Sequence, residues 1–162
     1  MPILETRTQL WSDEAACAAS ASALAREVAK RVALTDAFIE LHGPLGAGKT
    51  TFVRHLLHAL GVEGRVKSPT YAVMEPYELT RDGAAFGIWH FDFYRFNDPQ
   101  EWEDAGFRDV FASRGLKLAE WPEKAEGLLP EADLRIHIEP LDGDIRSARF
   151  EAHTHRGAEL IA

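Results

Sequence analysis

One cysteine, Cys17, leaves this chain no partner for an internal disulfide and no thiol set for a zinc site. It lies among alanines and reads as a small buried thiol. Basic residues are also scarce: 18 lysines and arginines face 26 aspartates and glutamates, giving a net charge of −8 and a pI near 5.3. That deficit opposes tight binding of a bare phosphate backbone, so nucleic acid is expected to arrive through a partner. No apolar run approaches the roughly 20 residues that cross a bilayer, and Met1-Pro2-Ile3-Leu4-Glu5 lacks the basic region and apolar core of a secretion signal. A cytoplasmic protein without a membrane partner is expected. Low-complexity segments, repeats and linkers are missing too, so residues 1–162 read as one domain able to bury a core.

What is present is concentrated in Gly43-Pro44-Leu45-Gly46-Ala47-Gly48-Lys49-Thr50, which fits the pattern Gly, four residues, Gly, Lys, Thr or Ser. Glycines let successive backbone N–H groups point into one concave nest, and the following helix adds its positive end. Lys49 suits the β- and γ-phosphates of a nucleoside triphosphate, and the Thr50 hydroxyl suits Mg²⁺. The motif's required setting is present. Ala37-Phe38-Ile39-Glu40-Leu41 reads as a buried parallel strand before the loop. After it, Phe52, Val53, Leu56, Leu57 and Leu60 form a helical stripe that stops at Gly61.

Elsewhere, Leu4 to Trp11 alternates as an opening strand, and Ser12 and Asp13 read as caps of an alanine-rich helix reaching about Lys30. Tyr71 to Leu79 and Phe86 to Phe93 read as strands around an Arg81-Asp82-Gly83 turn. Asp98-Pro99 starts a short helix through Trp102, and Leu116 to Trp121 reads as a strand ended by Pro122. Leu134 to Ile138 and Ile145 to His153, joined at Asp142-Gly143, read as an antiparallel pair. The expected fold is α/β: a three-layer P-loop domain with a mixed, mainly parallel sheet and antiparallel C-terminal strands.

The ligands that complete such a loop sit beyond the carboxyl ends of neighbouring strands. Asp92, after Ile88-Trp89-His90-Phe91, is placed to hold Mg²⁺ or its water shell. Glu120, after Gly115-Leu116-Lys117-Leu118-Ala119, could bind the metal, or orient or deprotonate a water attacking the γ-phosphate. Ser68-Pro69-Thr70-Tyr71 is similar to a switch segment whose Thr70 hydroxyl meets the metal only when a γ-phosphate is present.

Four segments together resemble the TsaE (YjeE) family: Gly43 to Thr51, Ser68-Pro69-Thr70-Tyr71, His90-Phe91-Asp92-Phe93-Tyr94-Arg95 and Glu120-Trp121-Pro122-Glu123. The likeness spans most of the chain in matching order and takes in Val66-Lys67, Asp98-Pro99 and Leu129-Pro130. Phe93 stands where leucine is usual. The resemblance implies the ATPase of bacterial tRNA threonylcarbamoyladenosine synthesis, slow alone and acting with TsaB and TsaD on an adenosine beside the anticodon. It implies that Thr50 and Glu120 ligate Mg²⁺, that Thr70 and Asp92 serve as switch and Walker-B groups, and that Lys49, Asp92 and Glu120 carry catalysis. ATP would rest on Gly43, Leu45, Gly46, Ala47, Gly48, Lys49, Thr50 and Thr51, with Trp121 and Arg146 beside it.

Two other readings of the loop are weaker. A small-molecule kinase would want an arginine-rich lid, and only scattered arginines such as Arg95, Arg108 and Arg114 are seen. A regulatory GTPase would want Asn-Lys-x-Asp, which does not occur. His55 and His58, three apart on the helix, and His153 and His155 on a strand have no third ligand for zinc. Trp89 and Trp102 read as core or partner-contact residues, since basic neighbours for base stacking are wanting.

Overall fold

Period-two alternation at the chain's start and periodic stripes after Asp13 and Gly48 set out the elements of a computed structural model. It describes residues 2–66, 69, 73–81 and 83–162, with Arg81 through its backbone only. Among these, β1 (Glu5–Trp11), β2 (Phe38–His42), β3 (Met74–Arg81), β4 (Ala84–Asp92), β5 (Leu116–Glu120), β6 (Leu134–Pro140) and β7 (Arg146–Ala152) form one sheet. Its order is β1-β7-β6-β2-β5-β4-β3. The inner strands β6, β2, β5 and β4 run parallel. Both flanks are antiparallel: β3 on β4, β7 on β6 and β1 on β7. The mixed sheet follows from its connections, because short turns at Gly83 and Gly143 can only reverse the chain, whereas parallel neighbours need a long crossover.

Alternation along the inner strands separates two apolar layers. Ile39, Leu41, Leu116, Leu118, Leu134 and Ile136 face one side, under α1 (Glu14–Lys30) and α2 (Lys49–Leu60). The Asp13 carboxylate caps α1 by accepting the Ala16 N–H at 2.9 Å, a cap whose loss typically costs about 1 kcal/mol. On α2, Phe52 is fully buried and stacks on Trp11 at 5.5 Å, with Phe150 edge-on to both. Truncating such a ring to alanine costs about 3–5 kcal/mol. Phe38, Phe91 and Ala119 face the other side. There they meet Trp102 of α3 (Pro99–Ala105), Phe107 of α4 (Phe107–Ala112) and Ala125 of a 3₁₀ turn at Pro122–Ala125.

Several boundaries differ from the sequence reading. Strand β3 starts at Met74 rather than Tyr71; Tyr71 lies outside the described residues, and Val73 has φ +66°. Strand β5 stops at Glu120, because Trp121 turns left-handed at φ +55°. Helix α3 continues to Ala105, and α4 and α5 (His155–Leu160) were not expected. His155 is therefore on a helix and His153 lies just past the end of β7, so neither is on a strand. Thr154 breaks the strand pattern by capping α5, accepting the Gly157 N–H at 3.0 Å while donating to Asp133 at 2.8 Å.

Candidate functional site

Strand β2 delivers the chain to a loop that ends at α2, at the centre of the sheet and beyond the carboxyl ends of β2, β5 and β4. Gly43 sits at φ +153°, and a Cβ there would run into the Ile138 carbonyl oxygen, so no larger residue fits. Gly48 at φ +107° turns the loop into α2, whose first residue is Lys49. The Lys49 ammonium donates to the Gly43 carbonyl and lies 3.5 Å from the centre of the Trp121 ring. Burial pushes its pKa below the usual lysine value, against the opposing pull of Glu120, Glu123 and Asp92. A buried ammonium whose acceptor is a neutral carbonyl can exchange it for an anionic oxygen and gain an ion pair.

Thr50, one residue on, donates its hydroxyl to Glu120, at 2.8 Å from Oε1 and 3.0 Å from Oε2. Parallel pairing puts Asp92 directly across from Glu120 at the ends of β4 and β5. Both carboxylates are buried. Asp92 Oδ1 accepts the Tyr94 N–H at 3.0 Å, which holds the turn leaving β4. Leu45, Gly46, Ala47, Gly48, Lys49, Thr50, Thr51, Asp92, Tyr94, Arg95, Glu120 and Trp121 line one open cleft of about 400 Å³. Its hydroxyl and carboxylate oxygens suit a hard cation such as Mg²⁺. Among the described residues no three His, Cys, Asp or Glu side chains are grouped to cage a metal. A cation held largely by phosphate and water does not require such a cage.

Trp121 and Arg146 flank the loop on opposite sides. The left-handed Trp121 backbone is uncommon outside glycine and lays the indole over Lys49, with Tyr94 against it at 4.9 Å. Arg146 reaches from the start of β7 to the Ala47 carbonyl, Nε to O 3.0 Å. It lines a second cleft of about 330 Å³ with Trp11, Asp13, Cys17, Ala47 and Thr51. Burial and the Glu14 charge push the Cys17 thiol up to about 11, partly offset by Arg54.

Sequence reasoning missed two features. The second cleft joins α1, the loop and the tail, which only the folded topology brings together. His90, quoted within a motif but given no role, is fully buried with Nε2 2.6 Å from Glu120 Oε2. A lone histidine in an apolar strand two residues before a candidate carboxylate was the available signal. Thr70 lies outside the described residues. His55 pairs with Glu14 and His58 bonds the Gly64 carbonyl, so the two do not share a ligand site. Trp102 is core, and Trp89 is half-buried against the same layer.

Residues 12–148 match the family model "Threonylcarbamoyl adenosine biosynthesis protein TsaE". The chain belongs to the TsaE family. A tRNA threonylcarbamoyladenosine biosynthesis protein TsaE of Haemophilus influenzae is 39% identical over 159 residues, covering 98% of both chains. The protein of the same name from Bacillus subtilis is 37% identical over 118 residues, covering 73% of this chain and 71% of its own length. The Streptomyces coelicolor TsaE is 38% identical over 122 residues, covering 75% and 80%. A crystal structure of Bacillus subtilis YdiB superposes with a TM-score of 0.77 at 26% identity, over 99% of this chain and 95% of that one. The family places the protein in tRNA threonylcarbamoyladenosine biosynthesis, on a P-loop fold. No helix among the described residues is long and apolar enough to cross a membrane.

Proposed function

We propose that this TsaE family member binds ATP with Mg²⁺ at the Lys49 cradle and hydrolyses it slowly alone. It would work in the cytoplasm with TsaB- and TsaD-like proteins on the adenosine beside a tRNA anticodon, meeting tRNA only through that complex. The observation that carries the nucleotide reading is the junction of Thr50 with Glu120 beside a buried Lys49.

The residues have separable tasks in this reading. Backbone N–H groups from Leu45 to Thr50 and the positive end of α2 take the phosphates. Lys49 exchanges the Gly43 carbonyl for phosphate oxygens, gaining an oppositely charged acceptor where it now has a neutral one. Thr50 and Glu120 would hold the cation, with Asp92 and, on the resemblance, Thr70 beside them. Bound Mg²⁺ supplies neutralisation of charge on the transferred phosphoryl group. Glu120 is also placed to orient or deprotonate the attacking water. The nucleoside is assigned to the Arg146 side, because the second cleft shares Ala47, Gly48 and Thr51 with the phosphate cleft and lies away from Glu120.

Measured ADP release, with ATP affinity by calorimetry and GTP in competition, tests the reading. Micromolar to millimolar ATP binding that needs Lys49, with turnover rising when partner proteins are added, is expected. Preference for GTP, or strong turnover dependent on a small-molecule acceptor, would replace it with a GTPase or a kinase.

A further inference from the structure

We infer that His90 is a positioning residue for Glu120, an inference that rests on the nucleotide reading above. His90 is 0% exposed and lies on β4, where pairing sets it against Leu118, so its ring reaches diagonally to Glu120 on β5. Its Nε2 is 2.6 Å from Glu120 Oε2, and its Nδ1 has no hydrogen-bond partner among the described residues. An ionised carboxylate can only accept, so the proton belongs on Nε2. This leaves a buried, unpaired Nδ1, a cost that an apolar residue in the strand would avoid. A strand interior keeps such a side chain when the group it holds matters, and the group held here is the carboxylate that also accepts Thr50.

The geometry separates the two bonds on Glu120. Thr50 approaches from the cleft side and is itself a candidate for the cation. His90 does not line the cleft, so its N–H can remain on Oε2 whatever enters. A glutamate at a strand end otherwise has several side-chain rotamers, and ordering it on ligand binding would reduce affinity for the cation. A fully buried ring bonded to Oε2 sets that ordering in advance and leaves the remaining lone pairs for the cleft.

The test compares His90→Leu, which removes the donor, with His90→Gln, whose amide nitrogen reaches the Nε2 position. Mn²⁺ binding to the ATP-loaded protein is read by electron paramagnetic resonance beside ATP affinity without metal, turnover and melting temperature. The leucine variant is expected to lose about 10–100-fold in Mn²⁺ affinity and in kcat, the range for a lost partner behind a ligand. Its metal-free ATP affinity should stay at the wild-type value, and glutamine should recover most of the loss. Equal behaviour of the two variants, or unchanged Mn²⁺ affinity in the leucine variant, would overturn the assignment. If His90→Leu does not fold, His90→Asn, whose amide reaches only the Nδ1 position, takes its place with the same expected outcomes. A wild-type protein that binds ATP but shows this equality refutes the His90 role alone. One that binds no ATP refutes the nucleotide reading and the His90 role with it.

Discussion

Two histidine–glutamate pairs sit on opposite faces of the same sheet and do different things. His90 and Glu120 are fully buried at 2.6 Å, on the α2 face, with Thr50 as the third member. His137 and Glu151 stand 3.0 Å apart on the other face, where, among the described residues, β6 and β7 lack the helical cover that α3 and α4 give β4 and β5. Glu151 there also accepts Arg149 at 2.8 Å, and His137 stacks on His42 at 4.7 Å. The same two residue types thus make a half-buried polar network in one place and, in the other, a carboxylate held beside the Lys49 loop. Position relative to the β2–α2 loop separates them, not composition. The half-buried network suits a sheet face that carries polar side chains in place of an apolar layer.

The sharpest way to break this contrast is to neutralise each glutamate in turn. Glu120→Gln should lower ATP turnover by about 10²–10⁴-fold if it handles the attacking water, with ATP still bound, whereas Glu151→Gln should leave turnover at the wild-type value. Steady-state ADP release beside calorimetry checks both. Lys49→Ala should weaken ATP by about 10–100-fold, the worth of a hydrogen bond to a charged group. Arg146→Ala should weaken it less, by about fivefold, because one neutral carbonyl bond that shapes the second cleft is lost.

Acidification probes the His137–Glu151 pair. Burial, then the neighbouring His42, holds the His137 pKa below its ordinary value of 6.5. As pH falls through that ordinary value the unfolded chain takes the proton first, so stability drops until the folded-state value is passed. Burial alone would raise the Glu151 pKa, but bonds from Arg149 and His137 outweigh it and hold it below 4.5. Its contribution is present above 4.5 and is lost as pH falls through the lower folded value. Melting temperature against pH should therefore decline in two legs, and His137→Gln should flatten the first. The smallest expected effect is on Cys17. Its thiol, pushed up to about 11 and buried, should label slowly at pH 8, and more slowly with ATP filling the cleft it lines.

Much of the site was legible because its parts are local in sequence. The loop needs its glycines where φ is positive and its lysine at the helix start, and strand-ending carboxylates at Asp92 and Glu120 follow from short buried runs. The order of strands, which makes these two carboxylates neighbours, depends on crossovers that periodicity does not encode. Helices α4 and α5, six residues each, are too short to show a periodic stripe. His155 was misplaced because the cap at Thr154 acts through Asp133, 21 residues away in sequence. His90 and Arg146 gain meaning only from what the fold sets against them: Glu120 for one, Ala47 for the other.

Titration calorimetry of ATP with Mg²⁺ into the wild-type and Lys49→Ala proteins tests the central claim most directly. One ATP bound per chain, with heat abolished or sharply weakened in the variant, is the result the account requires. No heat from the wild-type protein, or equal binding by both, would contradict it.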